Sequence, residues 1–230
     1  MTIANHTLPI SRRFFTRAVG AGAALLLAER DFLPGAFAEE LQERAQTPRL
    51  TEGPFFPDRL PLDTDNDLLV IGDSLTPAVG EATHLGGRIL DAHGDPVRDA
   101  LIEIWQVDAN GAYTHSRSAN GDKRDANFQG YGKFLTGSAG EYRFRTIKPV
   151  AYPGRVPHIH VKVSIKDKEE LTTQILVKGD PRNARDGVLR GIRDPRLREL
   201  VMADFVPLKD SKVGELSAQF DVVLGYTPKA

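Results

Sequence analysis

The eight residues from His158 to Ile165 read His-Ile-His-Val-Lys-Val-Ser-Ile, and this alternation constrains the fold more than any other feature of the chain. On an extended strand, residues two apart share a face. Ile159, Val161, Val163 and Ile165 therefore point together into a core, and His158 and His160 point together to the opposite side. Similar short runs cover His84 to Leu90, Ala100 to Gln106, Gly140 to Ile147, Leu171 to Val177 and Leu216 to Leu224. They are rich in Val, Ile, Thr and aromatics, and Gly, Pro, Asp and Asn turns separate them. The pattern predicts an all-β, antiparallel sandwich or barrel with long functional loops and little helix. Only Asp194 to Phe205 reads as helical, with Pro195 near its start and Leu197, Leu200 and Val201 on one face.

The N-terminus reads as an address. Ser11-Arg12-Arg13-Phe14-Phe15-Thr16-Arg17 is a twin-arginine pattern, and the apolar run from Ala18 to Ala28 that follows is too short to span a bilayer. Ala36-Phe37-Ala38 is a small-x-small site. The order predicts a twin-arginine-type signal peptide over residues 1–38, cut after Ala38, and a periplasmic or secreted protein. The other reading is an amphipathic or buried N-terminal helix. Residues 39–82 then form an N-terminal extension and arm, with Glu39 to Arg49 as a short helix or frayed linker. Residues 83–230 form the β domain.

Composition narrows the chemistry. The absence of cysteine removes disulfides, thiolate zinc sites and Cys nucleophiles together. With 30 basic and 31 acidic side chains there is no basic excess to make nucleic acid the main partner, and the low mean hydropathy disfavours an integral membrane span. The twin-arginine route is associated with proteins that fold, and often load a cofactor, before crossing. Any metal must be held by oxygen and nitrogen, from six His and five Tyr. His158 and His160, on one strand face, can bind one ion, although a His-x-His pair is also compatible with two merely satisfied polar groups. Tyr152, after a turn held by Pro153, Gly154 and Pro157, adds a phenol within reach of the same point. Tyr113 stands just beyond an Asn110-Gly111 turn and reads equally as an aromatic packed under a loop.

Taken in order, several segments resemble the intradiol ring-cleavage dioxygenases, especially the protocatechuate 3,4-dioxygenase-like branch. They are Thr51-Glu52-Gly53-Pro54-Phe55-Phe56, Trp105-Gln106 with Tyr113 downstream, Asn127-Phe128-Gln129-Gly130-Tyr131-Gly132, and the run from Gly140 to Pro149. Tyr152-Pro153, His158-Ile159-His160, and Thr173-Gln174 with Gly179-Asp180-Pro181 complete the set. The resemblance implies a β-sandwich holding a non-haem Fe(III) ion through Tyr113, Tyr152, His158 and His160. It implies that a small-molecule substrate of the catechol type is cleaved with O2 to a cis,cis-muconate-type diacid. Tyr152 would be the phenolate that leaves the metal and takes a proton, and Arg155 would stabilise negative charge on the ring, with Gln174 beside it. The family's tendency to self-associate implies a homo-oligomer. The ligand set is chemically consistent, since phenolate is a hard anionic donor suited to a ferric ion.

Only five residues separate Tyr152 from His158, where the classical members of the family it resembles carry a longer insertion. That shortening predicts a wider opening and a bulkier substrate. A surface Arg paired with a carboxylate is the bland reading of Arg155. Tyr131, Tyr142 and Tyr226 read as packing residues, and His6, His84, His93 and His115 have no spacing partner. Two other functions fit the outline. One is a non-catalytic β-sandwich ligand-binding module. The other is a zinc hydrolase using His158 and His160, which requires a third His or carboxylate ligand.

Overall fold

The computed structural model describes residues 44–228, so the expected signal peptide and its cleavage site lie outside the described residues. In chain order the strands are β1 (Ala82–Leu90), β2 (Ala100–Trp105), β3 (Tyr131–Leu135), β4 (Glu141–Ile147), β5 (His158–Ile165) and β6 (Lys168–Val177). Two short helices follow, α1 (Gly187–Gly191) and α2 (Pro195–Glu199). The chain ends with β7 (Met202–Ala203), β8 (Val206–Pro207), β9 (Leu216–Gln219) and β10 (Val222–Val223). One sheet runs β3-β2-β5-β6-β7. In the other, β1 pairs with β4 on one side and with β9 and β10 on the other, and β8 lies outside β9.

The alternation does what the sequence demands. Ile159, Val161 and Val163 of β5 are fully buried in a cluster that also takes Ile102 and Ile104 of β2, Leu85 and Ile89 of β1, and Phe144 of β4. Side chains from both sheets thus share one core, each contributing about 1.5–3 kcal/mol by leaving water. Gln106, wholly buried at the end of β2, joins the sheets: its Nε2 donates to the Ile147 carbonyl at 3.1 Å and its Oε1 accepts from Thr146 Oγ1 at 3.0 Å. The other face of the β3-β2-β5-β6-β7 sheet carries a row in register, Tyr131 opposite Trp105, Trp105 opposite His160, and His160 opposite Gln174. Cross-strand partners share a face, so this row forms the floor of the site.

Several elements differ from the sequence expectation. The sheets are not wholly antiparallel, because β9 and β10 run parallel to β1, and β7 runs parallel to β6. The expected single strand from Leu216 to Leu224 is broken at Phe220-Asp221, where the Asp221 carboxylate accepts the Arg88 amide at 2.9 Å. The helix expected over Asp194 to Phe205 is only the five residues of α2. Beyond it the Leu176 amide donates to the Val201 carbonyl, and Met202–Ala203 joins the β6 edge. Pairing with an open strand edge outweighs the weak propagation of so short a helix. Strand β3 was not visible as a strand because Gly132 and Lys133 interrupt its apolar pattern; its pairing with β2 makes it one. The expected helical option for the segment before Arg49 is absent over residues 44–49.

The arm has a definite course. Thr47 exchanges two hydrogen bonds with the Val223 backbone, and the Leu50 amide donates to the Thr172 carbonyl at 2.9 Å. Residues 51–56 then cross the outer face of the β3-β2-β5-β6-β7 sheet. Lys162 Nζ there lies 2.5 Å from Glu52 Oε2 and 4.0 Å from the centre of the Phe56 ring, tying the arm to β5.

Candidate metal centre

Three donor atoms meet at one point. Tyr113 Oη lies 3.0 Å from His160 Nε2 and 3.3 Å from His158 Nε2, and the two imidazole nitrogens are 3.1 Å apart. The three residues are 1–2% exposed. The His158 Nδ1–H donates to the Val156 carbonyl at 2.6 Å, which leaves the lone pair on Nε2 facing the cluster. Burial, with the positive Arg155 nearby, pushes the His158 pKa down to about 4. Burial, His158 and Arg155 lower that of His160 as well. Neutral imidazoles are the metal-binding form. Two of them presenting nitrogen to each other at this distance need a cation or a shared proton between them.

The spacing suits a metal. An ion bound at about 2.1 Å spaces neighbouring donors roughly 3.0–3.4 Å apart. Among the described residues, no group of three His, Cys, Asp or Glu could hold a metal, so a phenol must complete this set. Burial raises the Tyr113 pKa, and neighbouring Tyr152 raises it further. Its phenolate therefore needs a strong cation. A hard, trivalent ion such as Fe(III) fits that requirement better than zinc.

The tyrosines come from two loops that touch. The buried Asp108 carboxylate accepts the amides of Asn110 at 2.8 Å, Ala112 at 2.9 Å and Asp125 at 2.5 Å, folding the turn that delivers Tyr113. Gly111 within it has φ +73°, and a Cβ there would lie 3.3 Å from the Tyr152 Cβ. Tyr152 opens a turn through Pro153 and Gly154 that closes on Arg155 by two backbone hydrogen bonds. Its ring is half-buried, with its centre 5.3 Å from that of Tyr113 and 5.6 Å from that of His158. The structure thus brings Tyr113, His158 and His160 into contact and places Tyr152 at their margin.

The arm supplies the roof. Phe55 stacks on Tyr113 with centroids 5.1 Å apart and planes 21° apart. Gly53, at φ +70°, comes so near that a Cβ would sit 3.6 Å from His160 Cε1. Trp105 stacks on the His160 ring.

Arg155 and Gln174 are also joined. Arg155 Nη2 donates to Gln174 Oε1 at 2.6 Å, and Gln174 Nε2 donates to the Thr51 carbonyl of the arm at 2.8 Å. Arg155 Nε donates to Asp186 Oδ2 at 3.1 Å, so the expected carboxylate pairing exists, but inside the protein. Asp186 was not visible in the sequence, lying 31 residues from Arg155 in an ordinary Asp-Gly pair. Phe55 and Trp105 stand in the motifs with no role that the sequence alone assigns; the stacking supplies it. His84 pairs with Glu215, and His115 meets Phe55 edge-on. Tyr131 and Tyr142 are buried as expected, whereas Tyr226 is 39% exposed and is not a packing residue.

The family model described as Dioxygenase matches residues 51–225. The chain is 34% identical over 168 residues to the protocatechuate 3,4-dioxygenase beta chain of Burkholderia cepacia, covering 70% of this chain and 71% of that one. It is 29% identical over 195 residues to the hydroxyquinol 1,2-dioxygenase of Rhodococcus opacus, covering 75% of this chain but only 61% of that one. Among solved structures it resembles the dioxygenase domain of a dioxygenase–carbohydrate-binding protein fusion from Streptomyces sp. SirexAA-E. There the TM-score is 0.59 at 29% identity, over 80% of this chain and all of that one. It also resembles catechol 1,2-dioxygenase from Acinetobacter sp. ADP1, with a TM-score of 0.59 at 27% identity, over 79% of this chain and 63% of that one.

Proposed function

The chain belongs to the intradiol ring-cleavage dioxygenases, and on that premise we propose that it uses a non-haem Fe(III) ion and O2 to cleave a catechol-type diol. The product is a cis,cis-muconate-type diacid. The observation that carries the reading is the meeting of Tyr113 Oη, His158 Nε2 and His160 Nε2 within 3.0–3.3 Å of one another. Two sheets around one core are read as the family's sandwich. The relatives' names supply the substrate class.

Fe(III), when bound by Tyr113, Tyr152, His158 and His160, supplies Lewis acidity to a chelating diol and makes its ring reactive toward O2. The protein does the rest. His158 is fixed in one tautomer by the Val156 carbonyl. Tyr113, pinned beneath Phe55, stays in place. Tyr152, the less buried of the two tyrosines, would as a phenolate accept a proton from the incoming diol. Arg155, held by Gln174 and Asp186, places positive charge beside the ring as negative charge develops there. The bond between the two oxygen-bearing carbons breaks, and both atoms of O2 enter the product.

The test is the visible spectrum and iron content of the purified protein, followed by oxygen uptake. Tyrosinate-to-iron charge transfer should colour the protein red. A folded, colourless, iron-free protein overturns the reading. A panel of catechol, protocatechuate, hydroxyquinol and larger lignin-derived diols identifies the substrate. The signal-like residues 1–38 support export to the periplasm or beyond, tested by fractionating cells expressing the full chain and an Arg12→Lys/Arg13→Lys variant. Among the described residues no helix is long and apolar enough to cross a membrane.

A further inference from the structure

Asp186 divides its two oxygens between two tasks. Oδ1 accepts the Leu189 amide at 2.8 Å and caps α1, while Oδ2 accepts Arg155 Nε–H at 3.1 Å. Its side chain is 1% exposed, and that of Arg155 is 17% exposed. Nη2 of the same guanidinium is held by Gln174, itself held by the arm. These bonds engage two of the five N–H groups of Arg155 and leave the others available.

We propose that Asp186 is a positioning residue for the ring cleavage, fixing Arg155 so that its remaining N–H groups serve the bound diol. The proposal rests on the function given above, and its logic is geometric. Gln174 fixes one Nη atom, but a guanidinium held at a single point can still pivot. The second contact, at Nε, defines its plane. The carboxylate comes from a segment whose Leu189 is buried in a cluster with Val156, Leu176 and Val201, and this anchors it to the fold. A neutral amide cannot replace it. Asparagine would turn an NH2 group toward either the Leu189 amide or Arg155 Nε–H, setting donor against donor.

Asp186→Ser separates the two tasks, because serine remains a good helix cap but is too short to reach Arg155. The iron-loaded variant should keep its iron, its visible band and a melting temperature near that of wild type. Its kcat should fall roughly tenfold, with a much smaller change in KM. In a cycle with Arg155→Gln, the double variant should be no slower than Arg155→Gln alone, since Asp186 acts only through the arginine. Additive losses, or full kcat in Asp186→Ser, overturn the positioning role. If the serine variant does not fold, Asp186→Asn takes its place in the same cycle, and wild-type kcat there is equally fatal. Wild-type protein that consumes no oxygen with any diol overturns the function and the positioning role with it. An active wild type with an unaffected serine variant overturns the positioning role alone.

Discussion

Trp105 lies flat against His160, with ring centroids 4.7 Å apart and planes within 5° of each other. The two residues face each other directly across β2 and β5. His160 Nδ1 has no hydrogen-bond partner among the described residues, in contrast to His158. A metal-binding histidine is ordinarily oriented by the hydrogen bond of its second nitrogen. Here the indole takes over that task by stacking. Trp105→Leu should therefore lose iron to a chelator faster than wild type, with Trp105→Phe in between. The aromatic contact that Phe retains is worth about 1 kcal/mol. Equal iron retention in all three proteins would show that stacking does not orient the ring.

The four oxygen and nitrogen donors should not behave alike. His158→Ala, His160→Ala and Tyr113→Phe each remove a member of the buried triangle and should abolish stable iron binding. Tyr152 sits at the margin and is half-buried, so Tyr152→Phe should retain much of the iron while turning over more slowly. Iron analysis beside single-turnover kinetics separates the two classes. Iron loss in Tyr152→Phe as complete as in His160→Ala would contradict this division.

The β5 alternation was legible because its two faces meet different surroundings, a core on one side and the site on the other. The grouping of the histidines with the tyrosines, and of Arg155 with Gln174, came only from the resemblance of their segments, in order, to the intradiol dioxygenases. What a linear reading could not reach was contact between distant segments. Asp186 is one of many Asp residues until folding places it under Arg155. Phe55 and Trp105 become ring supports only when the arm and β2 flank the ligands. The helix expected after Asp194 stopped short at Glu199 for the same reason: its apolar residues suited a helix face, but the free edge of β6 captured the chain after Leu200.

Gly111 tests the loop that presents Tyr113. At φ +73° an alanine is strained by about 1–2 kcal/mol. Its Cβ would also crowd Tyr152 at 3.3 Å and Asn120 Nδ2 at 3.2 Å. Gly111→Ala should lower stability by about that amount and shift the visible charge-transfer band, because the intruding methyl abuts Tyr152 and strains the loop that carries Tyr113. Urea unfolding and the absorption spectrum check the two halves. A variant with unchanged stability and spectrum would mean that the loop yields without moving either ring.

The Asp186 carboxylate also leaves a mark on acid stability. Burial alone would raise its pKa, but the Leu189 amide and the Arg155 charge outweigh it and hold the group below the ordinary 3.8. A carboxylate with a depressed folded pKa stabilises the protein fully above its unfolded pKa. Below about pH 3.8 the unfolded chain binds the proton more readily, so this stabilisation fades as pH falls through the lower folded value. Serine at this position has no such proton to bind. The difference in urea-unfolding free energy between metal-stripped wild type and Asp186→Ser should therefore hold steady from pH 7 to about pH 5. It should then narrow below about pH 3.8. A gap that stays constant through the acid range would mean that Asp186 is not held ionised by its partners, and that Arg155 is anchored by something else.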